Sequence, residues 1–223
     1  MARTKLIDRL LPDYTSGEEV FNMVTHIVGG GFGVVYCALC VIFSALKGNA
    51  WAVVSSAIYG GSVIALFTMS SVYHGVRHTT GKKVLQIIDH CTIYFMIAGT
   101  YTPLMLCLLR PIAPVAAWVT FGVVWGISAL AITLNAIDLK SYNVFSMICY
   151  IGLGWCVIFT IKPVYRALTP AGFFWLLLGG VLYTLGAVLY GLGVKVRYFH
   201  SIFHIFVVLA SVAHFVCIFF FVI

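Results

Sequence analysis

Long apolar runs separated by short polar breaks make up most of the chain. A helix needs about 20 mostly apolar residues to cross a bilayer. Seven runs reach that length, at residues 20–46, 51–75, 85–109, 113–135, 142–161, 169–191 and 199–222. None of them alternates in the strict two-residue steps of a membrane β-barrel strand. The pattern therefore predicts an all-α membrane protein built as a bundle of seven transmembrane helices.

The composition supports this class and excludes others. Hydrophobic residues make up 62% of the 223 residues and charged residues only 9%, whereas a soluble domain carries about 25% charged residues. A soluble enzyme and a nucleic-acid-binding protein are therefore excluded, and the net charge of +7 is assigned to membrane loops. All seven cysteines lie in apolar runs, as buried thiols do.

The basic residues of the polar breaks predict the orientation. With seven spans, nine Lys and Arg residues fall on the side of the N-terminus and four on the other side, which predicts a cytoplasmic N-terminus and an external C-terminus. Residues 1–19 are expected to be a cytoplasmic segment without a signal peptide, and residues 20–223 a single seven-helix domain. His78 is expected to be solvated. The nine basic residues are Arg3, Lys5, Arg9, Arg77, Lys82, Lys83, Lys140, Lys195 and Arg197.

Ionisable residues inside the spans converge on one membrane face. Such groups are costly in a bilayer, and each is a functional-site hypothesis. In the predicted topology, the start of span one, the end of span two and the starts of spans three and seven all lie at the face of the N-terminus. The polar residues at these positions are Glu18, Glu19, Asn22, His26, Ser70, Ser71, His74, Asp89, His90, His200 and His204.

Three of these histidines form a candidate metal site. His200 and His204 are four residues apart and so project from one helix face, and His74 adds a third imidazole. Three nitrogens suit zinc and leave a fourth position for water, which is typical of catalytic zinc. Asp89 would then accept a proton, and Ser70 would donate to water, substrate or a ligand histidine. The alternative is a structural network in which the histidines only bond across helices.

The motifs together resemble the hemolysin III family. They are Glu19-x-x-Asn22-x-x-Thr25-His26, Ser70-x-x-x-His74, Asp89-His90, Gly99-Thr100-Tyr101-Thr102-Pro103 and His200-x-x-x-His204. This family is the bacterial branch of the progestin and adipoQ receptor group, which includes the adiponectin receptors, and it more distantly resembles alkaline ceramidases. The resemblance implies a multi-pass protein of the bacterial plasma (inner) membrane. It also implies one zinc at the cytoplasmic side, held by His74, His200 and His204 beside Asp89 and Ser70.

Three functions are consistent with this reading. The first is a zinc-dependent hydrolase that acts on a lipid amide or ester, with a membrane lipid as substrate. The second is a sensor or receptor of lipid or membrane state, in which zinc is structural. A pore-forming cytolysin is disfavoured, because so apolar a chain has no water-soluble form to be released. The sequence does not determine the substrate, the native metal or the oligomeric state.

The remaining polar residues have open roles. Glu19, Asn22 and His26 are expected to support the zinc ligands, line a substrate path or pack helices together. His90 points about 100° away from Asp89 and is expected to pack or to form hydrogen bonds. His214 lies about 15 Å deeper than His204 and is therefore out of reach of the metal.

Overall fold

Within the part of the chain that the structure describes, seven helices are long and apolar enough to cross a membrane. The computed structural model describes residues 4–77 and 79–223, so the predictions for Arg3 and His78 lie outside the described residues. The helices are α1 (Ser16–Leu46), α2 (Ala50–Gly75), α3 (Thr80–Pro103), α4 (Pro114–Asp138), α5 (Asn143–Gly154), α6 (Ile161–Ala167), α7 (Pro170–Gly193) and α8 (Phe199–Phe221). A π-helix, Leu104–Leu109, extends α3, and a 3₁₀ turn, Cys156–Thr160, joins α5 to α6 in one span. The prediction of a seven-helix membrane bundle is confirmed, and the described residues contain no strand.

Polar caps define several helix starts. The Thr15 hydroxyl accepts from the Glu18 amide, and the Glu18 carboxylate accepts from the Thr15 amide, so α1 begins with a capping box. The Thr79 hydroxyl caps α3 in the same way by accepting from the Lys82 amide. Both helices begin four to five residues before the predicted spans, because hydropathy detects the apolar stretch and not the polar first turn.

Small residues allow close helix contacts. A Cβ atom at Gly60 of α2 would collide with Cys37 of α1, and one at Gly99 of α3 would collide with Ser62 of α2. Membrane helices usually pack by close approach at small residues. The hydrophobic effect does not drive their association, because the surrounding lipid tails are as apolar as the side chains. These contacts fix α2 between α1 and α3.

Tyr101 of α3 forms hydrogen bonds with the fifth span where its α-helix is interrupted between α5 and α6. Its hydroxyl accepts a hydrogen bond from the Val157 amide at 2.8 Å and donates one to the Gly154 carbonyl at 3.1 Å. Backbone groups freed by a broken helix need such partners within a bilayer. The side chain thus stabilises the change from α-helix to 3₁₀ turn.

The end of the bundle where α1 begins is called the N-terminal face below. α2 ends there, and α3 and α8 begin there, because successive spans run in opposite directions. An amino-terminal segment, residues 4–15, lies on this face. The Thr4 amide donates to the Asp138 carboxylate at 2.8 Å, the Arg9 guanidinium lies 3.7 Å from the same carboxylate, and Lys83 donates to the Ile7 carbonyl at 2.6 Å. The segment is therefore attached to the end of α4 and the start of α3.

Candidate metal centre

The fold brings the three predicted ligand histidines together. One nitrogen from each of His74, His200 and His204 lies within 4.8 Å of the others. His74 comes from the last turn of α2, and the other two come from the first turns of α8. All three side chains are buried, and the Nε2 atoms of His200 and His204 are 3.1 Å apart.

The donor set fits a metal ion. Zinc–nitrogen bonds of 2.0–2.1 Å in a tetrahedral site place two nitrogens about 3.3 Å apart, close to the 3.1 Å between the α8 imidazoles. The Nε2 atom of His74 is buried and has no hydrogen-bond partner among the described residues. A buried lone pair without a partner is costly unless a ligand meets it. Zinc is therefore compatible with the three imidazoles.

Glu19 and Lys82 lie behind His74. The Nδ1 atom of His74 is 2.6 Å from one Glu19 carboxylate oxygen, and the Lys82 amine donates to the other at 2.7 Å. Lys82 also donates to the Val76 carbonyl at 2.9 Å and is only 2% exposed. The sequence left the role of Glu19 open. From the sequence alone, Lys82 is interpreted only as a loop charge. The burial of the Lys82 amine corrects this interpretation.

His26 packs directly on a ligand histidine. Its ring stacks on His204 with centroids 3.8 Å apart and 26° between the planes, and it meets the edge of Phe67 at 5.0 Å. Both ring nitrogens of His26 lack hydrogen-bond partners within the described parts of the chain, as do the side-chain atoms of the buried Asn22. The contact places His26 against the cluster without making it a member of the ligand group.

Asp89 and Ser70 line the same cavity as His200 and His204. The Asp89 carboxylate interacts with the Ser70 hydroxyl and lies 3.6 Å from the Nδ1 atom of His90. The predicted neighbours of the histidines thus face the space next to them.

His90 lines the same cavity but is not one of the three clustered histidines. Its Nδ1 atom lies 2.8 Å from the Gln86 carbonyl, and its Nε2 atom lies 3.3 Å from the Tyr190 hydroxyl. The hydrogen-bonding role predicted for this residue is confirmed.

The cavity extends from the histidines into the bundle. Its volume is about 160 Å³, similar to engineered apolar cavities of about 150 Å³ that bind benzene. Apolar side chains such as Leu66, Ile93, Met96 and Val207 form much of its wall. His214 lines the far end and lies 3.3 Å from the Leu176 carbonyl, away from the cluster as predicted. The cavity can hold a hydrocarbon segment beside the imidazoles.

Tyr14 covers the cluster from the amino-terminal segment. Its ring stacks on His200 with centroids 4.8 Å apart, and it lies 5.8 Å from His74. Burial raises the pKa of the Tyr14 phenol, so the hydroxyl stays neutral. Tyr14 could not be predicted from the sequence, because it lies in the polar stretch before the first apolar run. In that stretch, a residue that packs on the histidines looks the same as one in a solvated terminal segment.

These features define the class of protein: an integral, multi-pass α-helical membrane protein with a buried cluster of three histidines at one face. A family model described as "Haemolysin-III related" matches residues 14–215, so the chain belongs to the haemolysin III family. The resemblance inferred from the motifs is thereby confirmed.

Relatives in bacteria and yeast agree with this assignment. The chain is 36% identical to the Hemolysin-3 homolog of Bacillus subtilis (strain 168), over 93% of this chain and 96% of that protein. It is also 36% identical to Hemolysin-3 of Bacillus cereus, over 92% of each chain. The ADIPOR-like receptor IZH2 of Saccharomyces cerevisiae is 26% identical, over 90% of this chain and 70% of that protein.

Proposed function

We propose that the protein is a zinc-dependent hydrolase that cleaves a lipid amide or ester. The observation that carries this proposal is the position of Asp89 on the wall of an apolar cavity that begins at His200 and His204. A chemical centre and a space for a hydrocarbon chain thus adjoin each other inside a membrane protein. This combination suits a substrate that arrives from the bilayer.

A few side chains carry out the proposed metal binding, proton transfer and substrate binding. When bound, zinc would act as a Lewis acid that polarises a carbonyl and lowers the pKa of its bound water to about 7. His74, His200 and His204 hold the ion. Asp89 accepts the proton of the attacking water and passes it to the leaving nitrogen or oxygen. Ser70 orients the Asp89 carboxylate, and the cavity wall holds the acyl chain and excludes bulk water.

The metal site is tested by metal analysis of purified protein. His74→Ala and His204→Ala should each lose most of the bound zinc, because a site with two imidazoles binds it far more weakly. His214→Ala is the matched control, since it removes a histidine from α8 about 15 Å from His204. Equal zinc content in all three variants and wild type would disprove the site.

The reaction is tested with a panel of N-acyl amides and acyl esters in mixed micelles. Asp89→Asn should lower turnover by about 10²–10⁴-fold, because it removes the proton acceptor, and should retain zinc. Asp13→Asn is the control, because that side chain is 99% exposed. Zinc-loaded wild type that cleaves no member of the panel would refute the hydrolase proposal.

We also propose that the N-terminal face is cytoplasmic and that the protein resides in a bacterial inner membrane. The excess of Lys and Arg at that face supports this orientation, at seven to four even without the buried Lys82 and Arg9. A membrane-impermeant thiol reagent added to intact cells should label a cysteine placed after Ile223 and not one placed at Lys195. The reverse labelling would overturn the orientation.

A lipid sensor is the second candidate, favoured by the word "receptor" in the name of the yeast relative. In a sensor the metal would be structural, and a lipid in the cavity would shift the bundle between two arrangements. An Asp89→Ala variant separates the two functions. A sensor would keep its response to the lipid in this variant, whereas a hydrolase would lose its activity.

A further inference from the structure

Two consecutive carboxylates, Glu18 and Glu19, stand at the start of α1. Glu19 contacts one half of the histidine cluster, and Glu18 contacts the segment that precedes the other half. Glu19 contacts His74 at the end of α2. Glu18 contacts the backbone directly before α8, the helix that carries His200 and His204. The cluster is made of these two halves and has no ligand from α1 itself.

Glu19 fixes the ring of His74. The distance of 2.6 Å between its carboxylate and Nδ1 is that of a charge-assisted hydrogen bond, which keeps the proton on Nδ1 and leaves the Nε2 lone pair free. That Nε2 atom is the buried one without a partner among the described residues. Lys82 holds the other carboxylate oxygen at 2.7 Å, so Glu19 has little freedom to rotate.

Glu18 fixes the beginning of α8. One carboxylate oxygen accepts from the Tyr198 amide at 2.7 Å, and Tyr198 has the left-handed φ of 65° that starts this helix. The other oxygen accepts from the Thr15 amide and hydroxyl at 2.8 Å each and from Arg197 at 3.3 Å. Glu18 is 3% exposed. A carboxylate at a helix N-terminus also matches the helix dipole, and His200 follows Tyr198 by two residues.

We propose that Glu18 and Glu19 are positioning residues for the metal site, with Glu19 setting the orientation of His74 and Glu18 setting the place of His200. The inference rests on the metal site of the proposed function and not on hydrolysis. The two carboxylates share one rigid turn at the start of α1, so the distance between the halves of the site is set by a single piece of backbone.

The test uses full-length protein in detergent, stripped of metal and titrated with Co²⁺ and Zn²⁺. Glu19→Ala should weaken metal binding by about 10–100-fold, as loss of a residue that orients a ligand does. Glu19→Gln should recover most of that loss, because its amide oxygen still accepts from Nδ1. Glu18→Ala should shift the visible absorption bands of bound Co²⁺ by changing the ligand geometry, and Glu18→Gln should shift them less.

Thermal unfolding of the metal-free variants separates positioning from simple structural support. Asp13→Ala serves as the control for loss of a carboxylate on this face. If either alanine variant only lowers the melting temperature and leaves metal affinity and the Co²⁺ bands as in wild type, the proposal for that residue is wrong. Wild type that binds neither metal also overturns it. Metal-loaded protein without hydrolase activity refutes the reaction alone and leaves the positioning roles standing.

Discussion

Replacement of Lys82 by methionine tests how strongly the buried ion pair beside the site supports the fold. The change keeps an unbranched apolar side chain of similar reach and removes the charged amine that contacts the Glu19 carboxylate at 2.7 Å. Loss of one partner of a buried pair costs about 3–5 kcal/mol. The Glu19 side chain retains 14% exposure, so the lower end of this range, about 3 kcal/mol, is expected. For a chain of this size the melting temperature should fall by about 6–12 °C.

Lys83 is the matched control because it is the next residue in the same helix turn. Its amine makes one exposed hydrogen bond, to the Ile7 carbonyl, so Lys83→Met should cost less than about 1.5 kcal/mol. Thermal unfolding of metal-free protein in detergent, followed by tryptophan fluorescence, measures both variants. If the two melting temperatures fall by the same amount, the Glu19–Lys82 pair has no special role in stability, and the argument from burial fails.

Three further predictions concern helix packing and the attachment of the amino-terminal segment. Gly60→Ala should destabilise the bundle by about 1–3 kcal/mol, because the added Cβ atom would collide with Cys37. Gly61→Ala is the control, since its Cβ atom would face open space, and this change should be neutral or slightly stabilising. Equal melting temperatures for the two variants would contradict the close contact at Gly60. Asp138→Ala should speed backbone hydrogen exchange in the amino-terminal segment, since it removes the acceptor for Thr4, and unchanged exchange would refute this attachment. Tyr101→Phe should cost about 2–6 kcal/mol by leaving two backbone groups of the fifth span unpaired, and Tyr165→Phe, at an exposed position, should cost almost nothing in the same melts.

The spans and the histidine cluster could be predicted because each depends on a strong local rule. About 20 apolar residues in a row leave few alternatives to a membrane helix, and their alternating direction places helix ends on one of two faces. The spacing of His200 and His204 puts both rings on one side of α8. Adding His74 then required only the knowledge that α2 ends where α8 begins.

The residues around the cluster could not be predicted, because their roles depend on contacts between distant segments. Glu19 and His74 are 55 positions apart in the sequence, and Tyr14 and His200 are even further apart. A tyrosine before the first span looks the same in sequence whether it covers a site or lies in water. Only the packing of α1 against α2 and α8 decides which of these it does.

Lys82 acts at two stages, and the sequence shows only the first. During insertion the chain is unfolded, and a lysine near a helix end counts toward orientation whatever it later contacts. After folding the same amine is buried and holds Glu19 in place behind His74. The orientation count therefore remains valid although two of its members, Lys82 and Arg9, are buried in the folded protein. A buried lysine beside a candidate metal ligand is explained by its partner, since a charge without one would be too costly at that position.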